Sequence, residues 1–272
     1  MYLPELIRKE GLRRGLSPRT IITYRQCIKQ FFRYYSKDPK EIRKNDIKGY
    51  LNLLIERGAS GNTLNVNLNA LKFLYNEVLN KRLLLRVRFS KTPKTMPIAL
   101  TKEEISRLLE SIENPKHKLI VSLMYSAGLR LGEVIKLRSR DFMSNHGWVR
   151  NGKGNKDRPF IIAEKLKESL SRYINNCQTE NSYLFLGKRG RYISPETVRQ
   201  CVKKAAKKAG INKNVHPHTL RHSFSTHLIE EGCDITSVQS LLGHSSAETT
   251  MVYVHMASPR IISVKSPFDS LR

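Results

Sequence analysis

Between Arg86 and Pro97 the chain reads RVRFSKTPKTMP. Proline removes a backbone donor and pushes the residue before it toward extended backbone. Pro93 and Pro97 therefore deny this stretch both a helix interior and a central strand. Arg86, Arg88, Lys91 and Lys94 repel one another and favour extension further. A chain so interrupted is expected to fold as two bodies on a basic tether, although its length also admits one large domain. Its 272 residues let each body bury a core without a disulfide or metal staple. The division expected is a helical N-terminal domain over 1–85, a linker over 86–97, a second domain over 98–256 and a tail over 257–272.

Apolar periodicity fills in both bodies. Ser17-Pro18 has the form of an N-cap followed by proline at the first helical position, and Ile21, Ile22, Ile28, Phe31, Phe32 and Tyr35 recur beyond it at helical spacing. A second helix is expected after Asp46 with Ile47, Tyr50, Leu51, Leu54 and Ile55, and a third from about Thr63 with Leu64, Leu68, Leu71, Leu74, Tyr75 and Val78. Thr101 to Glu104 is a capping box. Helices follow near 101–113, 115–126, 130–139, 164–176, 195–209, 219–231, 235–242 and 246–256. Two short strands, near 147–151 and 157–162, flank the turn Gly152-Lys153-Gly154-Asn155. The expected class is mainly α with a small β-sheet.

Charge narrows the partner. The sequence holds 49 Lys+Arg against 23 Asp+Glu, a net of +26, with 21 basic and 7 acidic residues before position 98 and 28 and 16 after it. An excess of this size repels itself unless it meets a polyanion, and neutralising phosphates releases counterions from DNA. Its spread through both halves argues against one amphipathic membrane-surface helix. No apolar run approaches the roughly 20 residues of a membrane span, and MYLPELIRKEGLRRG puts charges where a signal peptide needs an apolar core. Cys27, Cys177, Cys201 and Cys233 form no CxxC pair, which suits a reducing, cytoplasmic setting. An RNA-binding protein would share this charge, so charge points to nucleic acid without pointing to an enzyme.

Five segments carry candidate chemistry: AGLRLGEV with Arg130, GKGNKDR with Lys153, HPHTLRHSFSTHL with His218 and Arg221, LLGHSS with His244, and TTMVYVHM with Tyr253. Each alone has a plainer explanation. Arg130 suits a salt bridge at a helix start, Lys153 a solvated hairpin tip, His244 a helix C-terminus, and Tyr253 a helical core position. The run from Gly147 to Lys153 fits G-x4-G-K, but Gly154 stands in place of Ser or Thr and strands flank it, so a nucleotide loop is rejected. His216, His218, His222 and His227 occur without HExxH or a cysteine pair, so no metal site is expected.

Together the five segments resemble the tyrosine recombinase (phage integrase) family, and within it the Xer-type recombinases, most of all the single archaeal Xer proteins. LRHSFSTHL is followed by LLGH and, after eight intervening residues, by Tyr253. SPRTIITYRQCIKQF resembles the opening of the family's SAM-like core-binding domain, so the likeness covers nearly the whole chain. It implies a two-domain DNA clamp with Arg130, Lys153, His218, Arg221 and His244 around the scissile phosphate and Tyr253 as nucleophile, with no metal and no other cofactor. The chemistry is consistent: guanidinium forks match a phosphoryl group gaining negative charge, and a tyrosine of pKa about 10 needs a base or positive surroundings to attack.

The same resemblance implies double-stranded DNA as partner, a homodimer on one site, a homotetramer in the synapse, and resolution of chromosome or plasmid dimers. Four other readings share parts of the evidence. They are an integrase or excisionase of a mobile element, a type IB topoisomerase, a non-catalytic DNA-binding protein, and a metal-dependent nuclease, which lacks a carboxylate cluster near the basic set. The tail, with Pro259 and Pro267, reads as extended, and Ile261, Ile262 and Val264 are expected to contact another protomer or dock on their own.

Overall fold

A computed structural model describes residues 3–81, 90, 97–150, 152, 157–176, 182–187 and 190–243. The chain forms two compact units, Met1–Thr95 and Met96–Arg272. Among the described residues the class is the expected one: helices throughout and one two-stranded sheet. No described helix is long and apolar enough to cross a membrane.

The first unit comprises α1 (Leu3–Arg13), α2 (Pro18–Tyr35), α3 (Lys44–Glu56) and α4 (Gly61–Lys72), the last running on through a π-helical turn at Phe73–Val78. Ser17 Oγ accepts from Thr20 N at 3.1 Å and Ser60 Oγ from Thr63 N at 3.3 Å, so local capping sets two of the starts. Phe31, Ile47, Leu68, Leu71, Leu74 and Tyr75 form the core, with Phe31 and Tyr50 edge to face at 5.1 Å. Two stripe members do not join it: Ile22 is 54% exposed and Ile55 56%. Periodicity does not predict α1, because Pro4 and Gly11 interrupt it. Proline is tolerated in a first turn, and a Cβ on Gly11 would lie 2.7 Å from Ile21 Cγ1, so this glycine marks the close crossing of α1 and α2.

The second unit contains α5 (Lys102–Glu110), α6 (Pro115–Ser126), α7 (Leu131–Val134), β1 (His146–Val149), β2 (Arg158–Ile161), α8 (Glu164–Asn175), α9 (Pro195–Lys208), α10 (Pro217–Glu230) and α11 (Ile235–Leu242). The Thr101 capping box is present, and Ser194 with Pro195 opens α9 as Ser17 with Pro18 opens α2. Leu119 to Met124 are all buried, so α6 is a central helix, and it packs against α10 and α9. α10 is polar in sequence yet mostly buried, and several of its polar groups find partners in the backbone. Ser225 Oγ donates to Arg221 O and Ser223 Oγ to Thr219 O, both at 2.9 Å, while Leu100 N donates to Ser223 Oγ at 2.8 Å.

The helix expected over 130–139 is a correction. Only one turn forms, because Leu184 N donates to Leu137 O at 2.7 Å and Arg138 pairs with Tyr183 as an antiparallel bridge, drawing the backbone out of the helix. β1 and β2 pair antiparallel with Gly147 opposite Phe160 and Val149 opposite Arg158. A Cβ on Gly147 would meet Phe160 Cζ at 2.3 Å. That glycine makes room for the Phe160 ring.

Candidate active site

Arg130 occupies the N-cap position of α7 with extended backbone, φ −71° and ψ 150°. Three residues on, Glu133 turns back to it. Arg130 N donates to Glu133 Oε2 at 2.9 Å and Arg130 Nη1 to Oε1 at 2.7 Å, a capping box in which the cap residue is itself the cation. Arg158, at the start of β2, donates from Nη2 to the same Oε2 at 2.7 Å. Arg221, one turn into α10, has Nη1 4.0 Å from that oxygen. It donates from Nη1 to Gly128 O at 2.5 Å and from Nη2 to Leu242 O at 2.6 Å. Gly128 is left-handed (φ +59°), and a Cβ there would lie 2.4 Å from Phe224 Cδ1. Glycine therefore lets the loop before Arg130 lie on α10.

Three guanidinium groups thus surround one carboxylate, a net of two positive charges among these four side chains. Burial pushes the Glu133 carboxyl up, but the Arg158 charge and the bonds from Arg130 outweigh it and hold the group below the usual carboxylate range. Burial moves the Arg158 guanidinium down from its ordinary value, and the Glu133 carboxylate opposes that shift. The arginines differ in access: Arg130 keeps 22% of its side chain exposed, Arg221 only 3%.

His218 lies in the first turn of α10 on its exposed side. Desolvation of the ring, then His216, Arg221, Arg130 and Arg199, push its pKa below the usual imidazole value. That shift favours the neutral ring, the form able to accept a proton. The next turn carries His222, pushed down to about 4 chiefly by burial. Among the described residues, no group of three or more His, Cys, Asp or Glu side chains is placed to hold a metal ion.

The structure therefore brings Arg130, His218 and Arg221 into one neighbourhood. Lys153, His244 and Tyr253 lie outside the described residues, as do the helix expected over 246–256 and the tail. Glu133 and Arg158 were not singled out in the sequence. The spacing from Arg130 to Glu133 is that of a capping box and carried a signal for the first; only the fold reveals the second.

A chain arranged in this way has recognisable relatives. The Phage integrase family model matches residues 99–260, and the model for the phage integrase N-terminal SAM-like domain matches 5–84. The chain is 36% identical to tyrosine recombinase XerA of Pyrococcus horikoshii over 91% of this chain and 86% of that protein. It is 31% identical to tyrosine recombinase XerC of Thermodesulfovibrio yellowstonii over 97% and 94%. A crystal structure of XerA recombinase, 32% identical, covers 96% of this chain and 95% of its own with a TM-score of 0.56. XerH recombinase bound to a palindromic difH substrate shares the fold at a TM-score of 0.72 and 22% identity, over 99% of this chain and 85% of its own. The chain belongs to the phage integrase family, as a site-specific tyrosine recombinase of the Xer type.

Proposed function

We propose that the chain exchanges strands between two DNA sites through a 3′-phosphotyrosyl intermediate on Tyr253. The phenolic oxygen attacks the phosphorus of a backbone phosphodiester, and the bond from phosphorus to the 5′ oxygen breaks. The phenol proton passes to His218, Lys153 delivers a proton to the departing oxygen, and His244 donates a hydrogen bond to the phosphate. Arg130 and Arg221 offset the charge that builds on the non-bridging oxygens. Attack by a 5′ hydroxyl from the partner strand restores the phosphodiester and frees Tyr253. One phosphate ester replaces another at each step, so no nucleotide is consumed.

The observation that carries this reading is the cluster of three arginines around Glu133, with His218 near enough to feel the charge of two of them. A net of +26 spread over both halves supports double-stranded DNA as the partner. The relatives add support: XerH was crystallised on its difH substrate, and a lambda integrase dimer on a core site. The assembly proposed is a homodimer on one site and a homotetramer in the synapse. The role is resolution of chromosome or plasmid dimers in the cytoplasm, without a metal or other cofactor.

The test uses a plasmid carrying two copies of a site selected by binding from a randomised duplex pool. Resolution into two circles supports the proposal. Relaxation of a plasmid lacking the site would show a topoisomerase instead, and tight binding without either change would leave a DNA-binding protein.

A further inference from the structure

We infer that Arg158 is a positioning residue: it fixes the C-terminal end of α11 against the Glu133 carboxylate and so sets where the chain leaves toward His244. The inference rests on the active-site reading above. Arg158 does not itself face a substrate, since its side chain is 9% exposed. One nitrogen of its fork, Nη2, reaches Glu133 Oε2 at 2.7 Å, and the other, Nη1, reaches Leu241 O at 2.5 Å. The last carbonyls of a helix have no partner within it. Here two guanidinium groups take them, Arg158 at Leu241 and Arg221 at Leu242.

The next residue confirms how close the fit is. Gly243 turns left-handed at φ +61°, and a Cβ there would stand 2.6 Å from Arg158 Cδ. The backbone thus passes directly over the Arg158 side chain, and His244 is the next residue in sequence. Packing alone does not explain a buried arginine, because an apolar side chain of similar volume avoids its desolvation cost. What a planar fork adds is a fixed separation between two acceptors, which a lysine cannot reproduce. One acceptor orients Arg130, and the other ends the helix that leads to His244. Arg158 therefore ties the carboxylate that orients Arg130 to the C-terminal end of α11.

The test compares wild type with Arg158→Lys in single-turnover cleavage of a nicked duplex carrying the selected site, alongside DNA affinity and thermal unfolding. Displacing a reacting group by about 1 Å costs on the order of 100-fold, so cleavage is expected to fall by about that factor while affinity stays within about twofold. A second substrate replaces the leaving 5′ oxygen with sulfur, which departs without a proton. Arg158→Lys should stay slow on it, because the defect lies at the phosphate and not at the acid.

Recovery of the wild-type rate with sulfur would overturn the inference and place the effect at Lys153 in the hairpin. So would cleavage equal to wild type, or a loss of affinity matching the loss of rate. Should Arg158→Lys unfold, Gly243→Ala presses on the same side chain without removing a charge and should show the same split between rate and affinity. Arg130→Ala and Tyr253→Phe serve as controls. If they also cleave normally, the active-site reading fails; if they are inactive while Arg158→Lys is normal, only this inference fails.

Discussion

Replacing Glu133 with glutamine removes the negative charge that Arg130, Arg158 and Arg221 surround while keeping nearly the same shape. In the wild type the carboxylate accepts from Arg130 Nη1 and Arg158 Nη2 at 2.7 Å each, and its side chain is largely buried. Removing one partner of a buried ion pair costs about 3–5 kcal/mol, because the charges left behind are desolvated and unpaired. Glutamine retains one acceptor, so the lower end, about 3 kcal/mol, is expected.

The assay is urea unfolding followed by tryptophan emission. Trp148, the one tryptophan in the chain, lies on β1 in the second unit, so its signal follows that unit alone. With a slope of about 2 kcal/mol per molar urea, the midpoint should fall by about 1.5 M. The difference should also depend on pH. The Glu133 carboxyl is held below its usual range, so its contribution is complete above the unfolded value of about 4.3 and is lost as pH falls through the lower folded value. The gap between the two proteins should therefore close in acid. A loss below about 0.5 kcal/mol at pH 7, typical of a surface substitution, would refute the reasoning.

Other expectations follow from the same geometry. The His218 pKa lies below the ordinary imidazole value, so single-turnover cleavage should rise with pH through a midpoint under about 6.5; a midpoint above 7 would contradict its role as base. Gly147→Ala would drive a methyl into Phe160 and should cost about 1–3 kcal/mol, read by Trp148 emission, and an unchanged midpoint would count against the observed β1–β2 register. Ser223→Ala leaves the buried Leu100 N–H without its acceptor and should cost about 1–3 kcal/mol in the same assay. Deleting residues 258–272 should weaken assembly, measured by sedimentation on DNA, more than it weakens cleavage; equal loss of both would show that the tail is not a protomer contact.

What sequence made legible follows from the range of each interaction. Helix starts at Ser17, Thr101 and Ser194 could be read because a cap and its partner lie within three residues. The false extension of α7 came from a partner far away in sequence, since apolar spacing through 130–139 carries no sign that Arg138 pairs with Tyr183. Helix α1 was hidden by a glycine whose value lies in its contact with α2. The site divides along the same line. Arg130, His218 and Arg221 stand in recognisable segments, whereas Arg158 acquires its meaning through partners 25 and 83 residues away.

The most direct test of the central claim is covalent trapping on a nicked suicide duplex, comparing wild type with Tyr253→Phe in the presence of EDTA. The account predicts a wild-type adduct that resists denaturant and no adduct from the Phe variant. An adduct in both proteins, or one that EDTA abolishes, would contradict it.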